Sequence, residues 1–206
     1  MKFLLSLAMA AFALQIFAQD IYTNNIYTNG VIGVSVEKDS EWEFMPEAER
    51  QSAVLNTTED HAGLKEYVLA HMSKPFVIIT KPRQISPQPV ITALLAPLDS
   101  DTSTNPVEVL QQMTASGPRA FYDYHVAVKP HIAEIAGRNG AYCKATYTLY
   151  LRNGDQVPVS FETWYIIRGS YYFLIGIVSR QPEDQDTTKE IREMMASLKI
   201  GDVKNN

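Results

Sequence analysis

TYTLYLRNGDQVPVSFETWYIIRGSYYFLIGIVSR, residues 146–180, decides the fold. Tyr147, Leu149 and Leu151 share one side of a strand, and Val157, Val159, Phe161, Tyr165 and Ile167 share one side of the next. Tyr171, Phe173, Ile175 and Ile177 repeat the pattern. Side chains that alternate in this way belong to strands, whose period is two. Asn153-Gly154-Asp155 is a strong hairpin signal, and Gly169-Ser170 marks a second turn. The opposite faces carry Tyr150, Trp164, Ile166, Tyr172, Leu174 and Val178. A sheet that is apolar on both faces has to be covered on both.

Working upstream, YHVAVKPHIAEIAG reads as a strand running to Gly137, RNG as its turn, and AYCKATYTLYLR as the next strand, which completes a four-strand antiparallel meander. Downstream, Ile191, Met194, Met195 and Leu198 form the stripe of a closing helix in which Thr187 and Glu190 have capping-box spacing. A second helix is expected over 106–116. Asn105 caps it, Pro106 takes its first position, Glu108 completes the box, Val107, Leu110 and Met113 share a face, and Gly117-Pro118 stops it. A third is expected over 58–73, where Leu64, Tyr67, Val68 and His71 line one face behind Thr58 or Asp60, with a helical start near Pro46 before it. VIGVSVE, PFVIIT and VITALLAP read as further strands, and the prolines at 82, 87 and 89 confine KPRQISPQP to a turn or an edge. The fold class is therefore α+β: an antiparallel sheet, its C-terminal part the four-strand meander, packed between helices as an α/β/α sandwich.

The first eighteen residues carry one charge, Lys2, then an apolar run from Phe3 to Leu14 and a small residue, Ala18, before Gln19. This is the pattern of a Sec-type signal peptide, shorter than the roughly 20 apolar residues that span a bilayer. The reading is cleavage after Ala18, export to the periplasm or beyond, and no membrane anchor after cleavage. Residues 19–29, in which IYTN occurs twice, read as a flexible leader, 30–201 as one globular domain and 202–206 as a tail. The formal net charge of −5 becomes −6 once Lys2 is removed, and no basic run is present, which argues against nucleic acid as a partner. The one cysteine, Cys143, permits no intrachain disulfide and reads as a small buried hydrophobe.

No catalytic motif, metal spacing or cofactor fingerprint is present. His61 and His71 do not share a helical face, and the acidic stretch DSDTST lacks the glycine and glutamate of a calcium loop. The tyrosines are too many to be all core, because a buried phenol needs a partner. Tyr150, Trp164 and Tyr172 are the candidate aromatic binding surface for an unknown protein or small ligand. The alternative is a small exported hydrolase using Glu134, Glu162, His125 and His131, acid/base groups placed within strands.

The order of elements carries a resemblance. GVIGVSVEKDSEWEF leads into helices and then a long meander; the meander ends in WYIIRGSYYFLIGIVSRQ, and IREMMASLKI closes the chain. This is similar to the PsbP-like families, which include the photosystem II extrinsic subunit and bacterial exported proteins such as the DcrB and LpqN lipoproteins. The resemblance implies an α/β/α sandwich without catalysis that serves in binding or in assembly of larger complexes. The chain departs from those families in its long 45–73 segment and in lacking a lipobox, and no ligand positions are carried over.

Overall fold

The computed structural model describes residues 20–47, 49–50, 75–82, 87–98, 104–151 and 153–201. The expected signal peptide, the 58–73 helix with His61 and His71, most of the DSDTST stretch and the 202–206 tail lie outside the described residues. Two antiparallel sheets carry the fold. The larger has seven strands in the order β4-β5-β6-β10-β9-β8-β7: β4 (Glu43–Phe44), β5 (Val77–Thr80), β6 (Val90–Pro97), β7 (Tyr122–Ile135), β8 (Arg138–Tyr150), β9 (Gln156–Arg168) and β10 (Tyr171–Arg180). The smaller has the order β1-β2-β3-β11, with β1 (Ile21–Thr23), β2 (Ile26–Asn29), β3 (Val34–Glu37) and β11 (Lys199–Ile200). Helix α1 is Pro106–Ala120 and α2 is Gln185–Ser197.

The four-strand meander is present as the alternation requires, and both faces of the large sheet are covered. On one face α1 lays Leu110, which is fully buried, against Ala141, Cys143 and Tyr165. On the other, Ile191, Met194 and Leu198 of the α2 segment join Val34 and Val36 of the small sheet over Ile79, Ile91, Ile166, Phe173, Ile175 and Ile177. The α/β/α sandwich is thus completed on its second side by a helix and a small sheet together.

Four local readings are corrected. Residues 21–29, expected to be a flexible leader, form the β1–β2 hairpin. Tyr27 is wholly buried within it, and its hydroxyl donates to Asp20 at 2.8 Å. Asp20 also accepts from Asn29 at 2.8 Å and pairs with the buried Arg50 at 3.2 Å, so the polar repeat is the edge of a sheet. The first turn of the meander falls at Ala136-Gly137, whose positive φ values of 53° and 70° suit a two-residue hairpin turn, and RNG belongs to β8. Gly140 is needed elsewhere: a Cβ there would lie 2.7 Å from the Tyr165 carbonyl oxygen.

Helix α1 runs through Gly117-Pro118 to Ala120, because Gly117 provides close contact with the Tyr124 ring and Pro118 falls in the last turn, where it removes a single hydrogen bond. Asn105 caps this helix as read, accepting from the Val107 amide at 3.0 Å, but Met113 faces solvent. The cap of α2 is Asp184, which accepts from the Asp186 amide at 3.3 Å and the Thr187 hydroxyl at 2.8 Å. Thr187 is therefore buried inside the first turn and does not cap it.

Candidate functional site

On the face of the large sheet that α2 shares, cross-strand register sets His131 of β7 opposite Tyr142 of β8, and Tyr142 opposite Trp164 of β9. The His131 and Tyr142 rings stand 5.6 Å apart edge to face, and Tyr142 and Trp164 lie 4.5 Å apart. The adjacent row pairs Lys144 with Glu162, and the row after it Thr146 with Ser160. These rows form a half-exposed shelf that is aromatic at one end and charged at the other.

The charged end is bonded throughout. Lys144 Nζ lies 3.1 Å from Glu162 and 2.5 Å from Glu183, the residue just ahead of the α2 cap. Glu162 also accepts from the Tyr142 hydroxyl at 2.9 Å, while Glu183 accepts from Ser160 at 2.7 Å and Gln181 at 3.0 Å. Ser160 and Ser179 share a further bond of 2.8 Å. Burial works against the Lys144 ammonium, but the two carboxylates outweigh it and hold its pKa above the ordinary value. Burial likewise opposes ionisation of Glu183, and the bonds from Lys144, Ser160 and Gln181 prevail, so its carboxyl stands below the usual range. Burial, then the Glu162 charge and bond, raise the Tyr142 phenol, which stays protonated and donates. Groups held in these states keep the shelf's shape and are ill placed to exchange protons near neutral pH.

Trp164 joins the shelf to a cavity of about 580 Å³ where the β7–β8 turn meets the end of α2 and β11. Ile135, Met195, Leu198 and Ile200 supply apolar wall, and the exposed Glu134 and Lys199 stand at its border. Arg138 Nε donates to the Ile200 carbonyl at 2.8 Å and ties the two sides together. The Trp164 Nε1 is buried and finds no hydrogen-bond acceptor among the described residues.

Of the six residues singled out in the sequence besides His125, three meet here: Trp164, Glu162 and His131 are all drawn to Tyr142, with Glu134 at the cavity. His125, on the exposed edge strand opposite Thr146, stays apart. Tyr150, Trp164 and Tyr172 do not form one surface. Tyr172 stacks on Tyr165 at 4.8 Å in the cluster under α1, on the other side of the sheet, and Tyr150 stands at the far end of β8 against Tyr122, 4.7 Å away. Tyr142, Lys144 and Glu183 were missed as partners, because only strand register brings them together. Cys143 is buried under α1, where desolvation pushes its thiol up to about 11. Among the described residues no group of three or more His, Cys, Asp or Glu side chains could hold a metal ion. No described helix is long and apolar enough to cross a membrane.

Neither a protein-family model nor a curated protein matches the sequence. Solved structures do. The protein is similar in fold to LpqN, described as involved in cell envelope biogenesis of Mycobacterium tuberculosis, with a TM-score of 0.51 and 16% identity over 81% of this chain and 82% of that one. It also matches the cyanobacterial PsbP of Synechocystis sp. PCC 6803, with a TM-score of 0.47 and 9% identity over 88% of this chain and 95% of that one. The LpqN likeness shows that the two chains share a fold, as the order of elements in the sequence implied.

Proposed function

We propose that the protein is an exported, non-catalytic binding or accessory module of the bacterial envelope. The observation that carries the reading is the state of the shelf: its carboxylates are committed to one lysine and its tyrosine to a carboxylate, while a row of aromatic rings leads from it to an open cavity of mixed polar and apolar lining. Aromatic side chains with one face wet and one packed are the usual material of recognition surfaces. The hydrolase alternative would need Glu162 and Glu134 to work with His125 and His131, and the first of these is held by Lys144 and Tyr142 while His125 lies apart. The signal-type N-terminus and a fold shared with a protein of cell envelope biogenesis support the location.

The test is fractionation of the native host followed by intact mass and affinity capture. A mature chain that starts at Gln19 in the periplasmic fraction is expected. Capture of envelope components should be lost on Tyr142→Ala with Trp164→Ala and kept on Tyr171→Ala, an exposed tyrosine at the β9–β10 turn. A cytoplasmic, uncleaved chain, or capture indifferent to the double substitution, overturns the proposal.

A further inference from the structure

The small sheet has an open edge. β1 pairs with β2 on one side, no other described strand pairs with it, and all three of its residues are exposed. Such an edge presents unpaired backbone N–H and C=O groups that a further strand can take up. Residues 21–29 hold no lysine or proline and the β1–β2 pairing has no register shift, so neither charge nor a bulge blunts this edge. Its side chains are apolar as well. Of the nine large hydrophobic side chains exposed among the described residues, four, Ile21, Tyr22, Ile26 and Val31, fall within eleven residues of chain. Register sets Ile21 opposite Thr28 and Ile26 opposite Thr23, so the two isoleucines are diagonal neighbours on the face of the hairpin away from buried Tyr27.

Charge says what this surface accepts. Residues 37–49 hold six acidic residues and one lysine, a net −5 that equals the formal charge of the whole chain. The stretch lies against the hairpin: Glu37 stands opposite Ile26 across β2 and β3, the Phe44 ring is 5.2 Å from Tyr22, and Glu47 lies 4.0 Å from Arg50. The cations within it are committed, Lys38 to Asn25 at 3.1 Å and buried Arg50 to Asp20 at 3.2 Å. A second copy of the chain brings the same charge and is repelled, as is an anionic membrane. We propose that the β1 edge of the small sheet takes up, by strand addition, an extended segment of a partner protein in which lysine or arginine alternates with apolar residues. Backbone pairing with β1 holds the segment, its apolar side chains extend the row of Ile21 and Ile26, and its cations meet the acidic rim. The surface belongs to a different sheet from the aromatic shelf and does not rest on the shelf's reading.

The test is selection of phage-displayed random peptides of about ten residues, long enough to form one strand, on the full mature chain. Enriched peptides should alternate Lys or Arg with Ile, Val, Tyr or Phe, and a synthetic copy should bind about tenfold more weakly in high salt than in low. Glu37→Lys with Glu43→Lys, both exposed, should weaken it about tenfold at low salt, and Ile21→Ser with Ile26→Ser should do the same at any salt, each with the melting temperature little changed. Amide exchange across 21–23 should slow in the complex. Acidic or patternless peptides, no enrichment, affinity indifferent to either pair of substitutions, or unchanged exchange in β1 overturns the proposal. So does concentration-dependent self-association that Ile21→Ser with Ile26→Ser removes, which would give the edge to a second copy. Peptide binding lost instead on Tyr142→Ala with Trp164→Ala overturns it too, while leaving the binding-module reading standing.

Discussion

At Gly140 the absence of a side chain does structural work that a helix or strand propensity would not suggest. Alanine in place of a strand glycine ordinarily gains about 0.5–1 kcal/mol. Here the new Cβ would meet the Tyr165 carbonyl oxygen at 2.7 Å and the Ile166 side chain at 3.1 Å. Gly140→Ala is therefore expected to destabilise by about 1–3 kcal/mol, read from denaturant unfolding, and a neutral or stabilising result would show that β8 and β9 do not approach this closely. Glu183 gives a second prediction with a defined sign. Its folded pKa lies below the unfolded value of about 4.3, because bonds from Lys144, Ser160 and Gln181 overcome its burial. The stability it contributes is present above that value and is lost as pH falls through the lowered one. Melting of the wild type should thus fall more steeply from pH 5 to 3 than melting of Glu183→Gln, which at neutral pH should already be about 1–3 kcal/mol less stable. Parallel curves would remove Glu183 from the account. At this scale the sequence showed Glu162 and Trp164 because a carboxylate and an indole are conspicuous inside strands. It did not show Tyr142, one tyrosine among many, whose role depends on which residues stand opposite it.

Among the described residues the strand β7 forms one edge of the large sheet over fourteen residues, from Tyr122 to Ile135. An unpaired edge of that length is a template for association with another chain. Its pairing with β8 is broken by register shifts between Tyr122 and His125, Val126 and Val128, and Val128 and His131; Lys129 and Pro130 sit within the last of these. Bulges, a lysine and a proline are the devices that keep edges from pairing. Replacing Lys129 and Pro130 together by valine should produce concentration-dependent self-association on light scattering, with the monomer's circular dichroism retained. A variant that stays monomeric at high concentration would show that the edge is shielded by something else. Alternation and turn residues made the four long strands legible with their order and faces. The turn at Ala136-Gly137 was not, since Asn139-Gly140 is the stronger local signal and is overridden by contact with β9. The β1–β2 hairpin escaped for a related reason: a polar repeat of four residues has too little alternation to announce a strand, and only Tyr27 reaches the core.

Across the whole molecule the core depends on both ends of the chain. Ile191, Met194 and Leu198 pack in the same cluster as Tyr27 and Val34. Leu198→Ala or Ile191→Ala should cost about 2–5 kcal/mol, and a chain ending before Glu183 should aggregate, since it would bare the apolar face that α2 covers. Removal of residues 19–29 should also be damaging, in contrast to what a flexible leader would give, because it takes away wholly buried Tyr27 and the Asp20 partner of buried Arg50. Urea unfolding of the two truncations beside the full mature chain checks both, and a soluble, equally stable variant of either kind would break the two-sided architecture. The fold class followed from apolar alternation on both faces of one sheet, which leaves few ways to keep water out. That a second sheet shares the cover with α2 did not follow, because β11 is two residues long and gains its place only from a partner far away in sequence.

That distance has a temporal meaning. β11 pairs with β3, Gly201 donates to Gly33, and the Ser197 hydroxyl bonds to Glu37 across 160 residues of chain. The small sheet cannot close until the last stretch of polypeptide has arrived, and closure of so long a loop carries its entropic cost before any contact compensates. A nascent chain that has not yet reached residue 199 holds β3 without its β11 partner. β1, β2 and β3 are thus made first and wait for the one short strand that finishes their sheet.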